Sequence, residues 1–350
     1  MDFERDSIIL SGTWERLSEH GDAEVWKREV AASLGPWEPV DLPGRVLRDN
    51  DRNANERTNC VWVRRTFQVD EGHATRDAVL KWGGIRFGAT AWLNGREIGS
   101  HAPVGPHTII IQPGVIHAGE NELLLKVRGW GSLHKSPTGV PLIPVGADLF
   151  WGGRGTSIYD DVWLEFYDAA YMKWILAIPN LEAGTVTFRV RLDSAGELPG
   201  AVDIHAAVHP KGDEAPAATG RAQAQEPGQP IEVPVALKDV KPWTPLSPHL
   251  YTAELRAEAG GKLCDETRFR FGMRQIAVEG GHYRLNGRPL WFRGSNLVSE
   301  WTWNDIFNRE VKRYVVDEAR AMNLNSFRTH TLPPPTRWLD VCDEHGTMIM

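Results

Sequence analysis

The stretch NSFRTHTLPPPTRWLDVCDEHGTMIM, Asn325–Met350, decides what class of fold this chain enters. Asn325–Arg328 is a short strand-like run, Thr336–His345 has the spacing of a helix that Gly346 ends, and Thr347–Met350 begins another strand. Just upstream, PLWFRG (Pro289–Gly294) reads as a short apolar strand. DIFNREVKRYVVDEARAMN (Asp305–Asn323) then places Phe307, Val311, Tyr314 or Val315, Ala319 and Met322 at helical spacing, with Asn304 or Asn308 as the cap. Strand, helix, strand, helix, strand implies parallel pairing through crossover helices. A full (β/α)8 barrel takes about 250 residues, so the expectation is the start of a TIM barrel, incomplete after roughly three strands.

Outward from this segment the pattern changes type. Leu285-Asn286-Gly287 is a hairpin signal, because Asn-Gly tolerates the positive φ of a type I′ turn. Before it, TVTFRVRLD (Thr185–Asp193) alternates cleanly, with Val186, Phe188, Val190 and Leu192 inward. DIHAAVH, IEVPVAL and LYTAELRAE repeat that period at the intervals of an immunoglobulin-like β-sandwich. Between Pro210 and Pro230 the Ala/Gly/Pro/Gln composition predicts a long surface loop without structure of its own. Up to about Asp168 the chain is again all β. In VWVRRTFQV (Val61–Val69), Val61, Val63, Phe67 and Val69 share one face and Trp62, Arg64, Thr66 and Gln68 the other. ATAWLNGREIG carries a second Asn-Gly turn at Asn94-Gly95, and GENELLLKV alternates through Leu123, Leu125 and Val127. The expected division is an all-β domain over 1–169, a β-sandwich over 170–278 and barrel elements over 279–350.

Composition excludes several function classes. The formal charge is −7, with acidic and basic residues mixed, so the electrostatic footprint of a nucleic-acid partner is lacking. MDFERDSIILSGTW has charges of both signs and a short apolar run, which fits neither a signal peptide nor a membrane span, and a soluble cytoplasmic protein is expected. Cys60, Cys264 and Cys342 lie far apart, outside metal-ligand spacing, and read as reduced thiols; no metal or cofactor is expected. The glycine cluster Gly83-Gly84-Ile85-Arg86-Phe87-Gly88 lacks the spacing of a dinucleotide fingerprint and sits among strands. Fifteen tryptophans suggest sugar stacking, although most buried tryptophans fill cores.

The order of jelly-roll-like β domain, immunoglobulin-like β-sandwich and barrel start resembles glycoside hydrolase family 2, which includes β-galactosidases, β-glucuronidases and β-mannosidases. The resemblance rests on Ser11-Gly12-Thr13-Trp14, WVRRTF (Trp62–Phe67), AWLNGREIG (Ala91–Gly99), GENELLLKV (Gly119–Val127) and SIYDDVWLEF (Ser157–Phe166). It continues through PWTPLSPHLYTAEL (Pro242–Leu255), RFGMR (Arg270–Arg274), LNGRPLWFRGSN (Leu285–Asn296), MNLNSFR (Met322–Arg328) and CDEHG (Cys342–Gly346). No one stretch is specific, but their order over nearly the whole chain is. Residue by residue, the Trp-Thr-Pro-Leu-Ser-Pro run is a rigid turn before a strand, and Arg274 is expected to dock the sandwich on the barrel.

The resemblance implies a retaining exo-β-glycosidase acting on a β-linked carbohydrate. Retaining enzymes need two carboxyl groups about 5–5.5 Å apart, placed in a barrel at the C-terminal strand ends. The strand ends present offer Asn296 and Glu300 after the first strand and Arg328 and His330 after the second. Glu300 is the one carboxylate near that face. Asp340, Asp343 and Glu344 fall on a helix directed away from it and read as a solvated surface or a C-terminal cap. By resemblance both catalytic glutamates are expected beyond Met350. Arg328 then corresponds to an arginine that supports the catalytic carboxylates, against the alternative of a structural ion pair. Asn296 either reaches the substrate pocket or caps a turn, and His330 is either a sugar ligand or a loop histidine. Arg328-Thr329-His330-Thr331-Leu332-Pro333 departs from the family's Arg-x-Ser-His-Tyr-Pro, and Leu297-Val298-Ser299 replaces its His-Glu, so the sugar stays open. Two partners are compatible with an incomplete barrel, namely its missing half or a second copy of the chain. A non-catalytic carbohydrate- or partner-binding β protein is the competing reading, against which stands the open edge of a partial barrel.

Overall fold

In a computed structural model of the chain, the described residues are 5–18, 36–46, 59–102, 105–132, 156–194, 200–224, 228–297, 308–329 and 334–350. The first β region packs two antiparallel sheets of six strands face to face. In one, Asp77–Ile85 pairs with Val162–Tyr167, Ser157–Ile158 and Gly105–Ile111. In the other, Cys60–Val69 and Gly119–Arg128 pair along their whole length, flanked by Gly12–Ser18 and by the hairpin of Ala89–Leu93 and Arg96–His101. The alternating residues behave as expected, since Val61, Val63, Phe67, Val69, Leu123, Leu125 and Val127 all enter the core between the sheets. Asn94 (φ 50°) and Gly95 (φ 82°) make the turn. The opposite face of Cys60–Val69 is not simply polar. Trp62 is completely buried there with Leu17, Cys60, Trp92 and Leu124, forming a second, smaller core.

The glycine cluster has a packing role. A Cβ on Gly83 would lie 2.5 Å from the Asp160 carboxylate, and one on Gly84 would lie 2.0 Å from the Tyr159 ring. Two bare α-carbons therefore let Tyr159-Asp160-Asp161 cross directly over the sheet.

The second β region pairs Tyr171–Asn180, Thr185–Asp193 and Pro230–Ala236 in one sheet and Ala218–Ala224, Val202–His209, Tyr251–Ala259 and Lys262–Phe271 in the other. Phe188 meets Phe269 and Phe271 edge-on between them, at 6.0 and 5.5 Å. The loop expected between Pro210 and Pro230 is corrected here: Ala218–Ala224 is a strand paired residue for residue with residues 202–208. Its low hydrophobicity hid it, and its small side chains explain it. A Cβ on Gly220 would come within 2.3 Å of the Pro234 carbonyl oxygen, so this edge runs too close to the other sheet for larger residues.

A meander of Ile276–Glu279, His282–Leu285 and Arg288–Pro289 follows, turned at Asn286 (φ 52°) and Gly287 (φ 75°). Then come three parallel strands, Gly294–Leu297, Ser326–Thr329 and Met348–Ile349, alternating with helices Arg309–Ala321 and Thr336–His345. The first strand starts later than PLWFRG suggests. Leu290 and Phe292 leave the sheet to pack on Trp243, Leu250, Leu285 and Met348, joining the second β region to the barrel strands. Pairing begins at Gly294, where a Cβ would lie 2.6 Å from Ser326 Oγ. The first helix is capped by Asn308, whose side chain accepts from the Glu310 N–H at 2.8 Å. Its inner face is Lys312, Val316 and Ala319, with Val315 partly buried, whereas Tyr314 and Met322 are exposed. The apolar stripe read from the sequence is thus rotated, because the buried position Lys312 is a lysine. Phe307 and Asn304 lie outside the described residues.

Candidate active site

Parallel pairing sets Asn296 directly opposite Arg328. Along these strands Leu297 and Phe327 face the two helices, packing with Val316, Trp338 and Val341. Side chains alternate along a strand, so Asn296 and Arg328 share the opposite face, near the C-terminal strand ends. Arg328 Nη1 donates to Asn296 Oδ1 at 3.3 Å, and both residues are exposed. Among the described residues no carboxylate pairs with Arg328, so its guanidinium keeps most of its donors for other acceptors. Glu300 and His330 lie outside the described residues. Among those described, no group of three or more His, Cys, Asp or Glu is arranged to hold a metal ion. No helix among them is long and apolar enough to cross a membrane.

The carboxylates of the second helix are engaged elsewhere. Glu344 accepts from Arg270 and Arg309, each at 2.5 Å, and Asp343 accepts from Arg274 at 2.8 Å. Burial disfavours the charge on Glu344, but the two arginine hydrogen bonds outweigh it and hold the carboxyl below its ordinary value. These are half-buried docking pairs rather than a solvated surface, which corrects that part of the sequence reading. Arg274 also lies 4.5 Å over the Trp243 ring, whose indole donates to the Asp343 carbonyl at 2.8 Å. The expected docking role of Arg274 is what the structure has.

A second junction was missed. Thr336 Oγ1 donates to Asp160 Oδ2 at 2.8 Å, Arg337 lies 3.3 Å from Asp160 Oδ1, and Arg337 also bonds Asp161. Asp160 is fully buried. The paired aspartates in SIYDDVW were the only signal available, and nothing local says that their partner lies 176 residues away.

With this geometry in view, comparison with known families is decisive. The family description Glycosyl hydrolases family 2 matches residues 170–274, and that family's TIM barrel domain matches residues 276–350. The chain belongs to glycoside hydrolase family 2. A relative, the β-galactosidase of Thermoanaerobacter pseudethanolicus, is 24% identical over 82% of this chain and 38% of its own length. The β-glucuronidase of Paenibacillus borealis is 23% identical over 99% of this chain and 58% of its own. A solved β-glucuronidase from Ruminococcus gnavus in complex with D-glucuronic acid superposes with a TM-score of 0.77 at 19% identity, over 99% of this chain and 59% of that one. The chain shares the fold of that glucuronidase and spans less than two thirds of the length of these relatives.

Proposed function

We propose that the chain is the front part of a retaining exo-β-glycosidase, with a jelly-roll-like sugar-binding domain over 1–169, an immunoglobulin-like sandwich over 170–278 and the opening of the barrel over 279–350. The observation that carries this reading is the Asn296–Arg328 pair at the ends of adjacent parallel strands, the edge where barrel enzymes hold their chemistry. In this proposal Arg328 orients the catalytic carboxylates by charge-assisted hydrogen bonds and Asn296 fixes the guanidinium while facing the sugar. Glu300 and His330 are further candidates for substrate contact in this proposal, and the acid/base and nucleophile glutamates are expected beyond Met350. The β-galactosidase and β-glucuronidase relatives support a β-linked glycoside as substrate. A cytoplasmic location and assembly with the remaining barrel or a second copy belong to the same proposal.

The test is turnover of aryl β-galactosides and β-glucuronides by the purified 350-residue chain, then by the chain extended along its reading frame. No hydrolysis is expected from the first and hydrolysis with retention from the second. Turnover by the first would place the catalytic pair within these residues and overturn the assignment.

A further inference from the structure

We infer that the first β region carries a pocket for the carboxylate of a small acidic sugar, held by Lys126 and Arg128. Lys126 stands opposite Thr90, and Thr90 opposite Ser100, so three polar side chains form one row across three antiparallel strands. Arg128 lies two residues further along the same strand and faces the same side. With His101 and Ser132 these residues line a cavity of about 440 Å³, within the range of small-molecule sites.

The charge pattern calls for an anion. Burial depresses Arg128 below its ordinary value, and no carboxylate among the described residues counteracts it. Burial also depresses Lys126, with Arg128 adding to the effect and Cys60 and Glu97 opposing it. Two half-buried arginines of this fold face carboxylates, Arg76 on Asp6 and Asp168, Arg337 on Asp160 and Asp161, whereas burial depresses Arg45 and Arg65 as it does Arg128. Among the described residues Arg128 has no such ion pair, so a ligand anion would recover the favourable field that desolvation removes. Lys126 is also preorganised, its Nζ lying 5.6 Å from both the Trp62 and the Trp92 rings.

The remaining lining calls for a sugar. Thr90 and Ser100 offer hydroxyls that donate and accept. Ser132 already donates to the Gly129 carbonyl at 2.7 Å, which leaves its oxygen as an acceptor. Burial depresses the His101 imidazole, whose ring stacks on His107 at 3.7 Å and closes one side of the cavity. A formal charge of −7 opposes a long polyanion, and a single acidic residue suits both the field and the cavity.

The experiment is calorimetric titration of the 350-residue chain with methyl β-D-glucuronide, methyl β-D-glucoside and inorganic sulfate, with amide chemical shifts followed for Thr90 and Ser100. The uronide should bind more tightly than either control, lose affinity with added salt, and move both amides. Arg128→Gln should weaken it about tenfold or more, the scale of a hydrogen bond to a charged group. Equal binding of the glucoside, tighter binding of sulfate, or unchanged uronide affinity in Arg128→Gln would each overturn the assignment. Should that variant not fold, Thr90→Val decides in the same way. The inference rests on the sugar-binding role proposed for the first domain, but its readout needs no turnover, so its failure would leave the hydrolase proposal standing.

Discussion

At the scale of single residues, backbone demands are sharper than side-chain identities. Gly346 ends the second barrel helix at φ 76°, and a Cβ there would sit 2.2 Å from the Pro245 carbonyl oxygen. Gly346→Ala must distort either the cap or the turn of the second β region, and should cost on the order of 1–3 kcal/mol, read as a lower urea midpoint. His73 shows the electrostatic counterpart. Its ring contacts Asp6 Oδ1 at 2.8 Å and Asp70 Oδ2 at 2.5 Å. The hydrogen bond to Asp6 is the largest influence and raises His73 above 6.5, burial opposes it, and Asp70 adds to the rise. A raised histidine contributes stability that is complete below its unfolded value and fades as pH climbs through its folded one. NMR titration should place the His73 midpoint above 6.5; a midpoint at or below that value would refute the bridge.

At the scale of elements, what was legible followed periodicity and turn chemistry. Thr185–Asp193, the two Asn-Gly hairpins and the Gly346 stop could be read directly, because each rests on a local signal. Ala218–Ala224 could not, since a strand of Ala, Thr, Gly, Arg and Gln owes its existence to partners and to closeness, neither of which is local. The Asn296–Arg328 pairing was half legible: both residues were recognisable, but their opposition depended on a strand starting at Gly294 rather than Pro289. The first barrel helix misled for a similar reason. Lys312 is 1% exposed, 5.6 Å from the Trp338 ring, and burial, aided by Arg337 and opposed by Asp160, pulls its ammonium down to about 8. A lysine depressed from 10.5 to about 8 makes stability rise with pH across that window, because the unfolded chain holds the extra proton. Lys312→Met should flatten that rise in urea unfolding curves taken between about pH 7 and pH 10.

At the scale of the whole molecule, the barrel elements are fastened at two places. Arg270, Arg274 and Trp243 hold the end of the second helix, and Asp160 and Asp161 hold its beginning. Arg337→Ala would leave the buried Asp160 carboxylate with Thr336 but without its cation. The loss should be about 3 kcal/mol, the lower end of the cost of removing one partner of a buried pair, since Arg337 itself is partly exposed. Separate unfolding of the barrel elements ahead of the β regions, followed by hydrogen exchange, is the expected signature; unchanged cooperativity would contradict it.

The bare α-carbons of Gly83 and Gly84 bear on this second fastening. They set the height at which Asp160 and Asp161 stand above their sheet, and hence where Arg337 and its helix come to rest. A methyl group added at either glycine would act as a shim: it would leave every barrel residue unchanged and still tilt the strand that carries Arg328. The Asn296–Arg328 edge would then be disturbed from a distance, by a change in a sheet that holds neither residue.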